Sequence, residues 1–221
     1  MNPNVPNDFG PLYAETLMGR LPVEPWNTYS NLIFLLIVVY FARKTHFSFQ
    51  QFPFLTFCLP ILALGFIGGT VFHATRSHSA WLIMDFLPIF VLALMAAVFF
   101  WRKILGNLAA SIGAAFAPLL LGFWIRSQAP LDISFRISLG YSFLAVAILL
   151  PTFLHCYRRN WENLILLLLA VAAFIPAILC RQLDKQVVEI LPMGSHFLWH
   201  LLGGFATLML MEYVFRTERQ S

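Results

Sequence analysis

The sequence predicts an all-α polytopic membrane protein, a bundle of seven transmembrane helices. Of its 221 residues, 60% are hydrophobic and only 11% are charged, whereas soluble domains average about 25% charged residues. Seven separate stretches approach the roughly 20 apolar residues that cross a bilayer, and the charged residues collect in the breaks between them. A soluble chain of this length could not bury so much apolar surface, so lipid is the expected solvent.

The seven predicted helices follow one another with short connections. They cover residues 27–42, 53–73, 80–101, 104–126, 133–156, 161–180 and 194–215. The domain organisation predicted from them is an amino-terminal polar segment (1–26), one seven-helix domain (27–215) and a short cytoplasmic tail (216–221). The polar segment lacks the basic-then-apolar pattern of a signal peptide, so the first helix is expected to direct insertion itself.

Paired basic residues at helix ends indicate the orientation. Arg43-Lys44, Arg102-Lys103 and Arg158-Arg159 all fall on the cytoplasmic side if the amino terminus is outside, as the positive-inside rule favours. The formal net charge of +4 is therefore explained by membrane-flanking residues, and no nucleic-acid partner is expected.

Polar groups that belong to four segments fall at one predicted depth. In an alternating topology all of them lie on the amino-terminal side, where random placement would have scattered them over both faces. Ionisable groups inside a membrane are costly and usually functional. The group consists of Glu24, Asn27 and Ser30 at the first helix, His73 at the end of the second, Asp85 in the third, and His196 and His200 at the start of the seventh.

The histidines of this group have the spacing of a metal site. His196 and His200 are four residues apart, which stacks two imidazoles on one helical face. His73 supplies a third imidazole, and three histidines with an open position form a catalytic zinc site. Each histidine alone is better explained as a hydrogen-bonded interior residue, but the three together favour metal.

Asp85 lies in a helix whose other residues are all apolar. Three roles are open to its carboxylate: an ion pair with Arg76, orientation of a ligand histidine, or proton transfer for a zinc-activated water. The remaining histidines, His46, His78 and His155, fall in loops or at the opposite face, where structural roles are expected.

Four motifs match a family pattern in order and position. They are Glu24–Asn31 (EPWNTYSN), Phe72–Thr75 (FHAT), Asp85–Ile89 (DFLPI) and Gly194–Leu202 (GSHFLWHLL). With them the chain resembles the alkaline ceramidases and their bacterial relatives, within a superfamily of seven-helix hydrolases that includes the adiponectin-receptor-like proteins.

The resemblance implies an intramembrane zinc on His73, His196 and His200, with Asp85 as the proton-handling acid. The implied reaction is hydrolysis of a lipid amide of sphingolipid metabolism, ceramide or a relative, which enters from the bilayer and releases a fatty acid and a long-chain amine. The implied location is a bacterial inner membrane. The resemblance also implies a regulatory calcium site on Glu15, Glu24 and Asn27, although the aspartate expected four residues before Glu15 is replaced by Pro11.

Two departures from the family pattern concern the catalytic residues. The family places an oxyanion-stabilising serine four residues before the first histidine, where this chain has Gly69. Thr70, on nearly the same helical face as His73, is the expected substitute; the alternative is a hydroxyl that bonds back to its own helical turn. The interval from His73 to Asp85 is also one residue longer than in the family, which the loop at 77–79 can absorb.

Other functional classes fit less well. A ligand-sensing receptor with little turnover is the main alternative, because the superfamily contains receptor-like proteins. A transporter or channel would place polar groups along the whole depth of the membrane. A retinal protein is not expected, since the only lysines, Lys44, Lys103 and Lys185, lie outside the helix interiors. A bis-histidine haem protein would place its ligands at several depths.

Overall fold

The computed structural model describes residues 6, 8–128 and 132–220, and this part of the chain is helical without strands. Its helices are α1 (Pro25–Ser30), α2 (Leu32–Thr45), α3 (Pro53–Thr75), α4 (Ser79–Leu105), α5 (Leu108–Gln128), α6 (Ile133–Arg158), α7 (Leu164–Gln182) and α8 (His196–Arg219). Seven segments are long and apolar enough to cross a membrane, with α1 and α2 together forming the first. The predicted fold class is confirmed.

The first segment is broken where a side chain competes with the backbone. The Asn31 side-chain amide donates to the carbonyl oxygen of Asn27 at 2.9 Å. In a continuous α-helix that carbonyl would accept a hydrogen bond from the Asn31 backbone N–H. The Asn31 N–H instead donates to the carbonyl oxygen of Tyr29. The break leaves α1 as a short helix at the end of the first membrane segment.

The chain divides into two compact units, residues 1–89 with 169–221 and residues 90–168. In the first unit, α1 and α2 both pack against α3 and α8. The helices approach closely at two glycines: a Cβ on Gly204 would lie 2.6 Å from Ile33, and one on Gly68 would lie 2.4 Å from the backbone of Met84. Alanines tighten the contact of α7 with α8, where Ala170, Ala173 and Ala206 form a buried cluster.

The carboxy-terminal end of α8 closes the first unit at the far end of α3. The Glu218 carboxylate accepts hydrogen bonds from the backbone N–H groups of Phe54 (2.8 Å) and Leu55 (3.0 Å), which lie in the first turn of α3 and have no partner inside the helix. The residues expected to form a tail from 216 onward therefore begin inside α8 and include this cap.

In the second unit, α5 and α6 pack along each other. Ala115 of α5 and Ala147 of α6 are buried, and a Cβ on Gly122 would lie 2.5 Å from the ring of Phe143. None of the predicted site residues belongs to this unit.

Candidate metal centre

Three histidines converge at the ends of two helices of the first unit. His73 lies in the last turn of α3, and His196 and His200 lie in the first turns of α8. All three are buried, at 0, 3 and 4% exposure, and one nitrogen from each lies within 4.8 Å of the other two. Three histidine nitrogens this close together are a donor set of the kind that catalytic zinc sites use.

Outer hydrogen bonds orient two of the three imidazoles. His73 Nδ1 lies 2.5 Å from a carboxylate oxygen of Glu24. His200 Nδ1 lies 3.1 Å from the carbonyl oxygen of Asn27 and 2.7 Å from the hydroxyl of Ser30. Because a carboxylate and a carbonyl only accept, both Nδ1 atoms carry the proton and both Nε2 atoms are left to a ligand, the arrangement common for metal-bound histidines.

The histidine cluster contains buried nitrogens without hydrogen-bond partners. They are Nε2 of His73 and Nδ1 of His196. An unsatisfied buried polar atom costs about 1–3 kcal/mol, and coordination to a metal ion would satisfy it. The donor set, three nitrogens in a buried pocket, therefore fits a metal ion.

His196 is fixed by groups outside the motifs. Its ring stacks on Tyr13 at a centroid distance of 3.9 Å. Its backbone N–H and that of Ser195 donate to one oxygen of Asp184 at 2.8 Å, and the other oxygen accepts from Ala14 at 2.8 Å. Asp184 thus caps the start of α8 from outside the helix. The sequence reasoning missed both Asp184 and the stacking of Tyr13.

Gly69 explains how Asp85 reaches the site. A Cβ at Gly69 would lie 2.5 Å from Oδ1 of Asp85 and 2.7 Å from Oδ1 of Asn31. The Asp85 carboxylate therefore occupies the space that a side chain at position 69 would need, one turn before His73. Asp85 forms no ion pair with Arg76 among the described residues, so the first of its three expected roles is not realised.

The hydroxyl of Thr70 differs from those of other threonines in the first unit. It is buried and has no hydrogen-bond partner, whereas the hydroxyls of Thr45 and Thr75 donate to the carbonyl four residues earlier at 2.8 Å. The expected alternative, back-bonding to its own turn, is not what Thr70 does. Since Thr70 precedes His73 by three residues, both side chains lie on one face of α3.

The three residues predicted to bind calcium have different surroundings. Glu15 accepts from the backbone N–H groups of Trp26 (3.0 Å) and Asn27 (2.6 Å) at the start of α1, and its burial raises the pKa of its carboxyl despite these bonds. Glu24 contacts His73, Arg76 and Thr16. The side-chain oxygen of Asn27 is buried without a partner. Calcium binding stays a prediction.

Arg76 forms buried ion pairs with two carboxylates. Its guanidinium donates to both oxygens of Asp8, at 2.6 and 2.9 Å, and to Glu24. Burial alone would raise the pKa of Glu24, but the hydrogen bond and charge of His73 and the charge of Arg76 lower it. Burial alone would lower the pKa of Arg76, and the bonds to Asp8 and Glu24 raise it. Asp8 carries no sequence signal that predicts this role.

Three buried imidazoles, a neighbouring carboxylate and a hydroxyl without a hydrogen-bond partner thus lie in one unit. The arrangement can hold a metal ion and offers groups that carry protons or donate hydrogen bonds beside it. The chain matches no protein-family model and no curated protein.

Proposed function

We propose that this protein is a zinc-dependent intramembrane hydrolase of lipid amides, similar to a ceramidase, that releases a fatty acid and a long-chain amine. One observation carries the proposal. Three buried histidines from α3 and α8 converge, and buried nitrogens of His73 and His196 have no hydrogen-bond partner. Glu24 and the Asn27 carbonyl hold the outer nitrogens of His73 and His200.

Zinc is the metal proposed because three imidazoles with an open position suit it. When bound, zinc supplies Lewis acidity, which polarises a substrate carbonyl and makes water a stronger nucleophile. Glu24 fixes the ring of His73, and Ser30 and Asn27 fix that of His200, so that both rings direct Nε2 inward.

Asp85 handles the protons in the proposed reaction. Its carboxylate takes a proton from water as the water oxygen bonds to the amide carbonyl carbon, and returns that proton to the nitrogen as the C–N bond breaks. The products are a carboxylic acid and an amine. Thr70 donates its free hydroxyl to the oxyanion that develops on the carbonyl oxygen.

A lipid substrate is proposed because the site lies among helices whose composition suits a membrane. The amino-terminal segment covers the histidines, since Tyr13 stacks on His196 and Asp8 pairs with Arg76. A substrate that enters sideways from the bilayer avoids this cover. We place the amino terminus outside and the carboxy terminus in the cytoplasm of a bacterial inner membrane, so that entry is from the outer leaflet.

Metal analysis combined with a hydrolysis assay tests the proposal. Purified wild-type protein should contain about one zinc ion per chain and release long-chain amine from ceramide in detergent. His196→Ala with His200→Ala should lose both zinc and activity. His155→Ala is the matched control, because His155 lies in the second unit beside Phe100 and should change neither. Equal zinc in the double variant and the wild type would reject the three-histidine site.

A further inference from the structure

Two buried carboxylates from distant parts of the chain meet at a single cation. Arg76 follows α3, is 1% exposed, and bonds Asp8 and Glu24, which lie 68 and 52 residues earlier in the sequence. Asp8 and Glu24 are both fully buried. No water-accessible surface screens these charges, so the two carboxylates depend on the guanidinium between them.

The two carboxylates would repel each other without a cation. Two buried carboxylates can lie close together when a cationic side chain neutralises them, when one of them is protonated, or when a metal ion binds both. A guanidinium satisfies both at once, since its five N–H donors form a planar fork that matches carboxylate oxygens. Arg76 uses three of its nitrogens in this way, Nε and Nη2 toward Asp8 and Nη1 toward Glu24.

The cation also connects the amino-terminal segment with the histidine cluster. The second oxygen of Glu24 lies against His73 Nδ1. Between Asp8 and Glu24 the chain places Tyr13 on the ring of His196 and Ala14 against Asp184. The segment from Asp8 to Glu24 is therefore fixed at both of its ends by Arg76.

We propose that Arg76 is an internal cation that takes the place of a bound divalent metal ion and fixes the segment 8–24 over the histidine cluster. Docking of this segment then needs no calcium. Arg76 is also a positioning residue for His73, because it holds the carboxylate that orients the ring. Removal of the guanidinium would convert the Asp8–Glu24 pair into a site for an added cation.

The hydrogen bonds of the three residues predicted to bind calcium are consistent with this assignment. Both oxygens of Glu15 accept backbone N–H groups, and both oxygens of Glu24 contact side chains of the protein. Asn27 Oδ1 is left as the one predicted ligand without a donor. Calcium takes six to eight oxygen ligands, so a single free amide oxygen is a poor site for it.

Thermal unfolding of the full-length protein in detergent tests the inference without any substrate. Wild type should have the same Tm in EGTA and in millimolar calcium. Arg76→Ala should have a lower Tm, which millimolar calcium or guanidinium, far below denaturing concentrations, partly restores. Asp8→Asn should also have a lower Tm, but neither cation should raise it, because Arg76 still occupies the cation position beside Glu24. Glu218→Gln, which removes charge from the cap at the other end of α3, is the matched control and should not respond to cations.

A cobalt-substituted sample adds a readout for the positioning of His73. The visible absorption bands of the bound cobalt should shift in Arg76→Ala and not in Glu218→Gln. Should Arg76→Ala fail to fold, Arg76→Lys keeps a positive charge and should fold with a lower Tm that calcium does not change. Stabilisation of the wild type by calcium, or an Arg76→Ala protein whose Tm ignores both cations, would overturn the inference, and neither result depends on hydrolysis.

Discussion

The replacement of Gly69 by serine, the residue that the ceramidase pattern has at this position, should damage the site. The Cβ of the new side chain would lie 2.5 Å from Oδ1 of Asp85 and 2.7 Å from Oδ1 of Asn31. Ordinary contacts of a Cβ atom are longer by nearly 1 Å. The two close atoms are the ends of the Asp85 and Asn31 side chains, so the strain is relieved most directly when one of these side chains moves.

The size of the effect follows from the two contacts. Overpacking of a closely packed interior costs about 1–3 kcal/mol, while serine gains a few tenths of a kcal/mol over glycine in helix propensity. The net loss of stability is therefore about 0.5–2.5 kcal/mol. Displacement of Asp85 also removes the proposed acid–base group, which is worth about 10²–10⁴-fold in rate. Zinc content should not change, because the atoms nearest to the new Cβ belong to Asp85 and Asn31 and not to the three histidines.

The assay compares Gly69→Ser with Gly203→Ser in detergent, by thermal unfolding, zinc content and amine release. A Cβ at Gly203 meets no atom within 4 Å, so this control has the same chemical change without the clash. Asp85→Ala should recover stability when added to Gly69→Ser, since contacting residues couple by about 0.5–3 kcal/mol, but it should not recover activity.

One result would refute the reasoning. If Gly69→Ser were as stable as Gly203→Ser and fully active, position 69 would have room for a side chain and the Asp85 carboxylate would not lie above it. An activity higher than that of the wild type would show that the serine serves the reaction and that Thr70 does not replace it.

Further predictions concern the other members of the site and the orientation. Asp85→Asn should fold and retain zinc but lose about 10²–10⁴-fold in hydrolysis, measured on one preparation; a receptor without turnover would instead show altered stability or zinc content alone. Thr70→Val should leave Tm unchanged, since no hydrogen bond is lost, and reduce kcat by about 10²–10³-fold as expected for an oxyanion donor; unchanged kcat assigns the residue to packing. Glu24→Gln should weaken zinc binding by about 10–100-fold, measured by competition with a chelator, because His73 loses its charged partner; unaltered affinity would exclude that role. A cysteine placed at Ser48 should resist an impermeant reagent in intact cells, and ready labelling would invert the proposed orientation.

The helices were predictable because their length and apolar composition alone identify them. A run of apolar residues is sufficient evidence for a span, whichever helices it packs against. The predictions were less accurate where polar side chains determine the structure. Apolar composition does not detect the break at Asn31, which depends on one amide, or the extension of α8 to Arg219, whose last turn contains the cap formed by Glu218.

The candidate site was predictable only in part, for a related reason. The spacing of His196 and His200 and the alternation of helix ends brought the three histidines together in the sequence reasoning, and the structure agrees. Asp8 and Asp184 could not be found in this way, because their contacts with Arg76 and Ala14 join residues 68 and 170 positions apart. Neither carboxylate has a spacing that specifies its partner.

The amino-terminal segment contains buried acidic residues. Residues 1–26 are polar and contain several prolines, and Asp8, Glu15 and Glu24 within them are buried. These carboxylates are buried because the neighbouring histidines and helix starts need hydrogen-bond acceptors. His73 Nδ1, the first N–H groups of α1 and Arg76 all need a carboxylate, and Glu24, Glu15 and Asp8 supply it. A polar segment that precedes a membrane histidine cluster is therefore a candidate source of the outer ligands, and each of its acidic residues can be tested as part of the site.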